Sequence, residues 1–161
     1  MQKRKKSNPG ISWKLLLSCL LVVSFMAWIG SSFSGGAQTS SWYNSIKPAI
    51  TPPGYVFPIV WTALYLMIAV ALYFSWKSAK KSDKRAVAWT YGINLLANAL
   101  WTLFFFGMKN PPLAMLDIAV IWFSILAMMY VSKKIDKRAF YLLIPYLIWV
   151  SFASVLNYLA I

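Results

Sequence analysis

Long apolar segments alternate along the chain with short polar or basic stretches. Each segment is close to the length of about 20 residues that an α-helix needs to cross the hydrocarbon of a membrane. None of them has the continuous polar face that a helix of a soluble bundle presents to water. The pattern predicts an all-α membrane protein, with a basic tail over residues 1–13 and a five-helix transmembrane domain over residues 14–161. The five predicted helices cover residues 14–33, 56–76, 86–108, 113–132 and 140–161.

The first segment also has features of a secretory signal peptide, because a basic stretch precedes it and small residues, 34–37, follow it. The apolar region of a signal peptide is shorter than this segment, whose length fits a spanning helix. We therefore expect the segment to be retained as the first helix of the bundle.

Lysine and arginine residues concentrate in alternate connections. The tail with Lys14 has five, the connection 77–85 has five and the connection 133–138 has four, whereas the other two, Lys47 and Lys109, lie on the opposite side. Short loops rich in Lys and Arg stay in the cytoplasm. The distribution predicts a cytoplasmic amino terminus, an outer carboxyl terminus and a long outer loop between the first two helices. We expect the membrane to be that of a prokaryotic cell.

A stretch from Trp42 to Trp61, which includes the outer loop, combines prolines with aromatic residues. Prolines fix the backbone and lack N–H donors, so we do not expect this stretch to be the interior of a helix. Its apolar side chains offer surface to bury, and long ordered loops are often binding elements. We interpret it as a lid, with a well-packed connector as the alternative. The lid residues are Trp42, Lys47, Pro48, Thr51, Pro52 and Pro53.

The composition agrees with a membrane protein, since 60% of the residues are hydrophobic and only 12% are charged, against about 25% charged in soluble domains. The net charge of +13 suits membrane topology rather than nucleic acid, because the basic residues cluster between apolar segments. The chain has no histidine, and its one cysteine, Cys19, lies in an apolar segment. We therefore expect no nucleic-acid partner, no metal site with His or Cys ligands, and no required cofactor.

The chain has three acidic residues. Asp83 and Asp136 lie in basic stretches, where we expect solvated loop positions. Asp117 lies about one turn into the fourth segment, where an ionisable group is a functional candidate. Its structural alternative is an interaction with Lys109 or with a helix N-terminus.

Polar and aromatic residues share one face of the third segment. Asn94, Asn98, Trp101 and Phe105 follow each other at spacings of four, three and four residues, which places them on one side of a helix. Amides are costly in lipid, so this face should point into the bundle. This face could form hydrogen bonds to neighbouring helices or contact a ligand, and the sequence favours neither role over the other.

A pair of small residues, Ala88 and Gly92, lies on the same predicted helix. Small residues four positions apart allow two helices to approach closely. The pair suits a dimer interface, and a tight contact within one copy of the chain is the alternative.

Indole side chains lie well inside three of the predicted helices: Trp61 in the second, Trp101 in the third and Trp149 in the fifth. Tyr65 follows Trp61 by one turn, and Ala153 follows Trp149 by one turn. Aromatic stripes more often belong to a core or to the interfacial belt of a membrane protein. Three indoles beside small or polar partners also suit a pocket for a large flat apolar ligand, held by stacking and a few amide hydrogen bonds.

Together these motifs resemble the tryptophan-rich sensory protein family, also called translocator proteins or peripheral-type benzodiazepine receptors. The resemblance extends from about residue 42 to the end of the chain, and its specificity comes from the order of the motifs. The residues that carry it are Trp42-Tyr43, Lys47-Pro48, Thr51-Pro52-Pro53, Phe57, Trp61, Leu64-Tyr65, Asn98, Trp101, Phe104-Phe105, Gly107, Leu143, Pro145-Tyr146, Trp149, Phe152-Ala153 and Leu156-Asn157.

The resemblance implies a five-helix bundle, usually a homodimer, with a pocket capped by the first loop. Members of the family bind porphyrins such as protoporphyrin IX, haem, synthetic benzodiazepine-type ligands and, in animals, cholesterol. By this analogy Trp61 and Trp149 wall the pocket. The same analogy gives as further ligand-binding residues Tyr43, Phe57, Tyr65, Asn94, Asn98, Trp101, Ala153 and Leu156.

Three functions are compatible with the resemblance. The first is a receptor for tetrapyrroles or other planar apolar ligands, in which haem would be held without imidazole because the chain has no histidine. The second is enzymatic, a light- and oxygen-dependent porphyrin degradation in which Trp61 and Trp149 would be the catalytic residues. The third is transport of tetrapyrroles or other hydrophobic molecules. Ion-coupled transport generally needs ionisable groups near the middle of the membrane, and Asp117 is off-centre. Facilitated movement along the outside of the bundle would not need such a group.

Overall fold

The computed structural model describes residues 10–36 and 39–161. Within these ranges the secondary structure is helical, and no strand is present. Most of the predicted basic tail, residues 1–9, lies outside the described residues. The elements are α1 (Trp13–Ser32), α2 (Ser41–Ile46), α3 (Val56–Ser78), α4 (Lys84–Thr102), a π-helical turn (Leu103–Gly107), α5 (Pro111–Ile135) and α6 (Lys137–Tyr158).

Four of these helices, α1, α3, α5 and α6, are long and apolar enough to cross a membrane. Helix α4 has 19 residues but a lower mean hydropathy, because it contains Lys84, Arg85 and the amides Asn94 and Asn98. Both amides are buried, with exposed fractions of 0% and 6%, so they face protein rather than lipid. The all-helical class is confirmed, and the described residues contain four candidate spans where the sequence predicts five.

The long helices form a closed ring. Helix α1 contacts α3 and α4, α5 lies between α4 and α6, and α6 contacts α3. The close approach of α1 to α4 depends on Gly30, since a Cβ there would lie 3.1 Å from Oγ1 of Thr102 and 3.5 Å from Cα of Ala99. A ring of five helices leaves space along its axis unless side chains fill it.

At one end of the ring, the basic end, α5 continues almost directly into α6. The predicted connection over residues 133–138 is wrong, because Asp136 alone separates the two helices. Asp136 is also not a solvated loop residue: its Oδ1 accepts a hydrogen bond from the backbone N–H of Arg138 at 3.0 Å, and its Oδ2 accepts one from Ser78 Oγ at 3.0 Å. The side-chain hydrogen bond from Arg138 holds the pKa of the Asp136 carboxyl below its usual range. Asp136 therefore caps α6 and joins it to the end of α3.

A triangle of hydroxyl groups fills the ring towards the basic end. Ser75 Oγ lies 3.0 Å from Ser132 Oγ and 3.3 Å from the hydroxyl of Tyr91, which itself lies 3.1 Å from Ser132 Oγ. All three side chains are buried, and each belongs to a different helix. The triangle ties α3, α4 and α5 together and leaves the open space at the opposite end.

At that opposite end, the loop end, the predicted loop begins with a short helix. The side chain of Ser40 caps α2 by accepting a hydrogen bond from the backbone N–H of Tyr43 at 3.2 Å. Helix α2 ends at Ile46, just before the first proline of the loop, Pro48. The prediction of a non-helical stretch is therefore wrong over residues 42–46 and over residues 56–61, where α3 begins. It is confirmed over residues 47–55, which we call the proline loop.

The third predicted helix changes its geometry near the loop end. Helix α4 is regular to Thr102 and continues as the π turn, in which the N–H of Met108 donates to the carbonyl of Leu103 at 2.7 Å. The side chain of Asn110 then caps α5 by accepting a hydrogen bond from the N–H of Leu113 at 3.0 Å. π-helical turns inside α-helices are rare and frequently occur at functional sites.

Candidate functional site

A cavity of about 370 Å³ lies on the axis of the ring at the loop end. We call it the bundle cavity. Its volume falls within the range of about 300–1,000 Å³ that is typical of small-molecule sites. All five long helices, the π turn and the proline loop contribute to its wall. Nine of the ten predicted ligand-binding residues line it: Tyr43, Phe57, Trp61, Tyr65, Asn98, Trp101, Trp149, Ala153 and Leu156.

Two indoles from separate helices, Trp61 of α3 and Trp149 of α6, form part of this wall. The ring centroid of Trp61 lies 5.4 Å from that of Tyr65, and Trp149 contacts the ring of Phe57 edge-on at 6.0 Å. Contacts of this kind fix the orientation of an aromatic ring. The aromatic rings on two sides of the cavity therefore pack against neighbouring aromatic rings.

The third indole, Trp101, is held by a chain of hydrogen bonds. Its Nε1 donates to Oδ1 of Asn157 at 2.9 Å, and Nδ2 of Asn157 donates to the backbone carbonyl of Pro111 at 2.9 Å. The ring of Trp101 stacks on Phe105 of the π turn with centroids 5.0 Å apart. This chain links α4, α6 and α5 at the level of the cavity.

Two buried polar atoms of the cavity wall have no hydrogen-bond partner among the described residues: Nε1 of Trp149 and Oγ1 of Thr51. The indole N–H groups of Trp101 and Trp122, by contrast, donate to Asn157 Oδ1 and to Ser151 Oγ, each at 2.9 Å. Leaving a buried donor unpaired costs about 1–3 kcal/mol. A ligand with a hydrogen-bond acceptor would satisfy the N–H of Trp149 and remove this cost.

The cover of the bundle cavity is fastened to the π turn by aromatic contacts. The ring of Trp42 packs edge-on against Phe105 at 5.8 Å, and that of Tyr43 packs against Phe106 at 5.6 Å. Trp42 is a predicted lid residue that does not line the cavity, and its ring contact joins α2 to the π turn. Pro48 and Thr51 of the proline loop line the cavity directly.

A second cavity of about 370 Å³ lies within the loop itself. We call it the loop cavity. It adjoins the bundle cavity, since four residues line both: Tyr43, Pro48, Thr51 and Phe57. The structure places the remaining predicted lid residues here. They are Lys47, Pro52 and Pro53.

The two predicted amides of α4 have different positions. Asn94 does not line the bundle cavity: its Nδ2 donates to Ser124 Oγ of α5 at 2.9 Å, and its Oδ1 accepts from the hydroxyl of Tyr146 of α6 at 3.0 Å. Asn98 lines the cavity and donates to the backbone carbonyl of Asn94 at 2.8 Å and to the hydroxyl of Tyr146 at 2.6 Å. Asn94 therefore bonds helices together, and Asn98 combines that role with exposure to the cavity.

Asp117 lies in α5 and is 8% exposed. Its Oδ2 has no hydrogen-bond partner in residues 10–36 and 39–161, and an ion pair with Lys109 is absent there, so that expected pairing is wrong. Asp117 does not line either cavity, although its neighbour Ile118 lines the bundle cavity.

Sequence reasoning missed the contribution of α1 to the bundle cavity. Three small residues of α1 and one just after it line the wall. They are Ala27, Gly30, Ser31 and, after the helix, Ser34. Their spacing of three, one and three residues places them on one face of a helix. That stripe of small and weakly polar side chains in an otherwise large-residue segment is the signal that could have found them.

The part of this chain that matches known proteins includes all the residues that line the two cavities. Residues 17–160 match the sequence profile of the TspO/MBR family. The chain is 36% identical over 149 residues to the tryptophan-rich protein TspO of Chlorobaculum tepidum, which covers 89% of this chain and 91% of that protein. It is 34% identical over 141 residues to the tryptophan-rich sensory protein of Cereibacter sphaeroides, covering 86% and 87%. It is 30% identical over 149 residues to the human translocator protein, covering 91% and 88%.

The hydrogen bonds of Asn94 predict a structural role that can be separated from the cavity. We expect Asn94→Ala to lower the free energy of unfolding by about 1–2 kcal/mol, because Ser124 Oγ loses a donor and the Tyr146 O–H loses its acceptor. Thr102→Ala is the matched control, since the Thr102 hydroxyl bonds only to carbonyls of its own helix. Thermal unfolding in detergent measures both variants. Equal melting temperatures would contradict the role of Asn94.

Proposed function

The chain belongs to the TspO/MBR family, and from that premise we propose that it is a receptor- or translocator-like binding protein for porphyrins such as protoporphyrin IX and haem. The observation that supports this most strongly is the bundle cavity, where Trp61 and Trp149 of separate helices face one space. The space also holds an indole N–H, that of Trp149, without a partner among the described residues.

A porphyrin suits these walls for physical reasons. Its flat apolar face packs against indole and phenol rings, which gain most from offset-stacked or edge-on contact. An acceptor atom at its periphery can pair with the N–H of Trp149. Benzodiazepine-type ligands share the flat apolar body and the acceptor atoms, so we propose that they occupy the same cavity.

Light-dependent porphyrin degradation and facilitated transport stay hypotheses. Degradation would use the same bundle cavity, whereas facilitated transport would follow the outside of the bundle. No arrangement of the described residues favours either of them over binding. Porphyrin loss compared between light and darkness separates degradation from binding.

We propose that all five long helices cross a prokaryotic cell membrane with the amino terminus inside. The described basic residues support this orientation, because they crowd the basic end while only Lys47 and Lys109 lie at the loop end. Helix α4 joins the four candidate spans because its amides are buried in the ring.

Orientation can be tested with introduced cysteines, since the native Cys19 is buried. We expect a thiol reagent that does not cross membranes to label Lys109→Cys in intact cells and not to label Lys80→Cys. Both positions label after the membrane is opened, which serves as the control. The reverse pattern in intact cells would contradict the proposed orientation.

We also propose a homodimer that forms through the outward face of α4. Ala88 and Gly92 are exposed, and a Cβ at Gly92 would meet nothing within 4 Å. The alternative of a tight contact within one copy of the chain is therefore wrong. The exposed side chains of Trp89, Ile93 and Leu96 extend the same face.

A bulky residue at Gly92 is expected to weaken the dimer. Gly92→Leu prevents close approach of two α4 helices, and we expect dimer affinity in detergent to fall about tenfold. Val120→Leu, on the exposed face of α5, is the control and keeps the dimer. Native mass spectrometry over a dilution series measures both, and an unchanged Gly92→Leu dimer would exclude this face.

The binding proposal predicts that Trp61 and Trp149 matter more than other tryptophans. We expect Trp61→Phe combined with Trp149→Phe to weaken protoporphyrin IX binding about tenfold, since each indole contact contributes about 0.5–1.5 kcal/mol. The shift of porphyrin absorbance during titration measures affinity independently of the number of tryptophans. The control is Trp13→Phe with Trp28→Phe, two indoles of α1 that are 70% and 64% exposed. Equal affinities in the two double variants would remove Trp61 and Trp149 from the site.

A further inference from the structure

The loop cavity contains a cation that lacks an acidic partner. Lys47 lines this cavity and is exposed, and its Nζ donates a hydrogen bond to Oδ1 of Asn44 at 2.8 Å. Within residues 10–36 and 39–161 the one ion pair joins Arg138 to Asp136, at the other end of the ring. The ammonium of Lys47 therefore has two of its three N–H donors free to bind an anion.

A second unsatisfied polar group lies at the junction of the two cavities. Oγ1 of Thr51 is buried without a hydrogen-bond partner among the described residues, and Thr51 lines both cavities. A buried hydroxyl normally has a partner, and a ligand oxygen placed at the junction would provide one. Thr51 and Lys47 are four residues apart in the same loop, so they border one continuous space.

The electrostatics of the loop end favour an anion in that space. The basic residues at this end are Lys47 and Lys109, and its one acidic residue, Asp117, lines neither cavity. A carboxylate entering the loop cavity would therefore meet positive charge from Lys47 and no opposing carboxylate. Hydrogen bonds between an ammonium and a carboxylate are stronger than those between neutral groups.

We infer that the loop cavity is a carboxylate subsite, in which Lys47, with Thr51 at the junction, holds an acidic group of a ligand whose flat apolar body lies in the bundle cavity. This inference rests on the proposed function and narrows its ligand class. The preferred ligands are planar apolar molecules with a carboxylate at one edge. A neutral planar ligand uses the bundle cavity alone and leaves the loop cavity empty.

The test compares protoporphyrin IX, which carries two carboxylates, with its dimethyl ester. Each ligand is titrated by absorbance into the full chain in nanodiscs of phosphatidylcholine, so that no anionic lipid competes. The measured quantity is the affinity ratio of acid to ester. Dividing the wild-type ratio by the ratio of a variant cancels the different partitioning of the two ligands into lipid.

We expect Lys47→Met to reduce the acid-to-ester ratio by about three- to tenfold. Lys47→Arg keeps the positive charge and should keep most of the preference. The matched control is Lys109→Met, which removes the other basic residue of the loop end and should leave the ratio unchanged. Thr51→Val should lower the ratio by a smaller factor, because it removes a neutral donor.

The outcomes separate this inference from the proposed function. If Lys47→Met and Lys109→Met give the same ratio as the wild type while both ligands still bind, the carboxylate subsite is overturned and porphyrin binding stands. If neither the acid nor the ester binds the wild-type chain, the proposed function itself fails. A lower acid-to-ester affinity ratio in Lys47→Met, with an unchanged ratio in Lys109→Met, supports the carboxylate subsite.

Discussion

A polar group inside a membrane bundle must find its hydrogen-bond partner within the protein, because lipid offers none. The amides of α4 meet this requirement through Tyr146 of α6 and Ser124 of α5. These bonds hold the most polar of the long helices inside the ring. Asn98 and Trp101 of this helix both line the bundle cavity. The network therefore joins α4 to α5 and α6 next to the cavity.

The candidate site lies where that requirement is not fully met. Around the ring nearly every buried polar side chain has a partner, including the hydroxyl triangle near the basic end. Among the described residues the exceptions are the indole N–H of Trp149, the hydroxyl of Thr51 and Oδ2 of Asp117. The first two line the bundle cavity. Unsatisfied groups that border open space are available to a ligand. On the same ground we propose that an acidic group of that ligand binds next to Lys47.

Much of this architecture follows from the sequence, since apolar segments of spanning length and amides on one helical face are local patterns. The aromatic walls were predicted because Trp61 and Trp149 follow a recognisable order of motifs. Other features depend on three-dimensional packing. The π turn after Thr102 follows no simple periodicity. The role of Gly30 in α1 is visible only in the folded chain, where a Cβ at this position would lie 3.5 Å from Cα of Ala99 in α4.

Charge and proline patterns misled in two places for physical reasons. The basic residues around Asp136 predict a loop, but lysines are also favourable at the C-terminal end of a helix. Asp136, which caps α6, is the single residue between the two helices. The prolines of the loop exclude a helix only around themselves, so α2 forms immediately before them. Mean hydropathy likewise does not identify α4 as a spanning helix, because it counts the amides of α4 as polar although they are hydrogen-bonded within the ring.

The central claim is that indoles of α3 and α6 enclose a planar ligand beneath the proline loop. An experimental structure with protoporphyrin IX bound tests it most directly. The account predicts density for the porphyrin ring between Trp61 and Trp149, with the proline loop closed over it. Porphyrin density on the lipid-facing surface of the ring, with the bundle cavity empty, would contradict it.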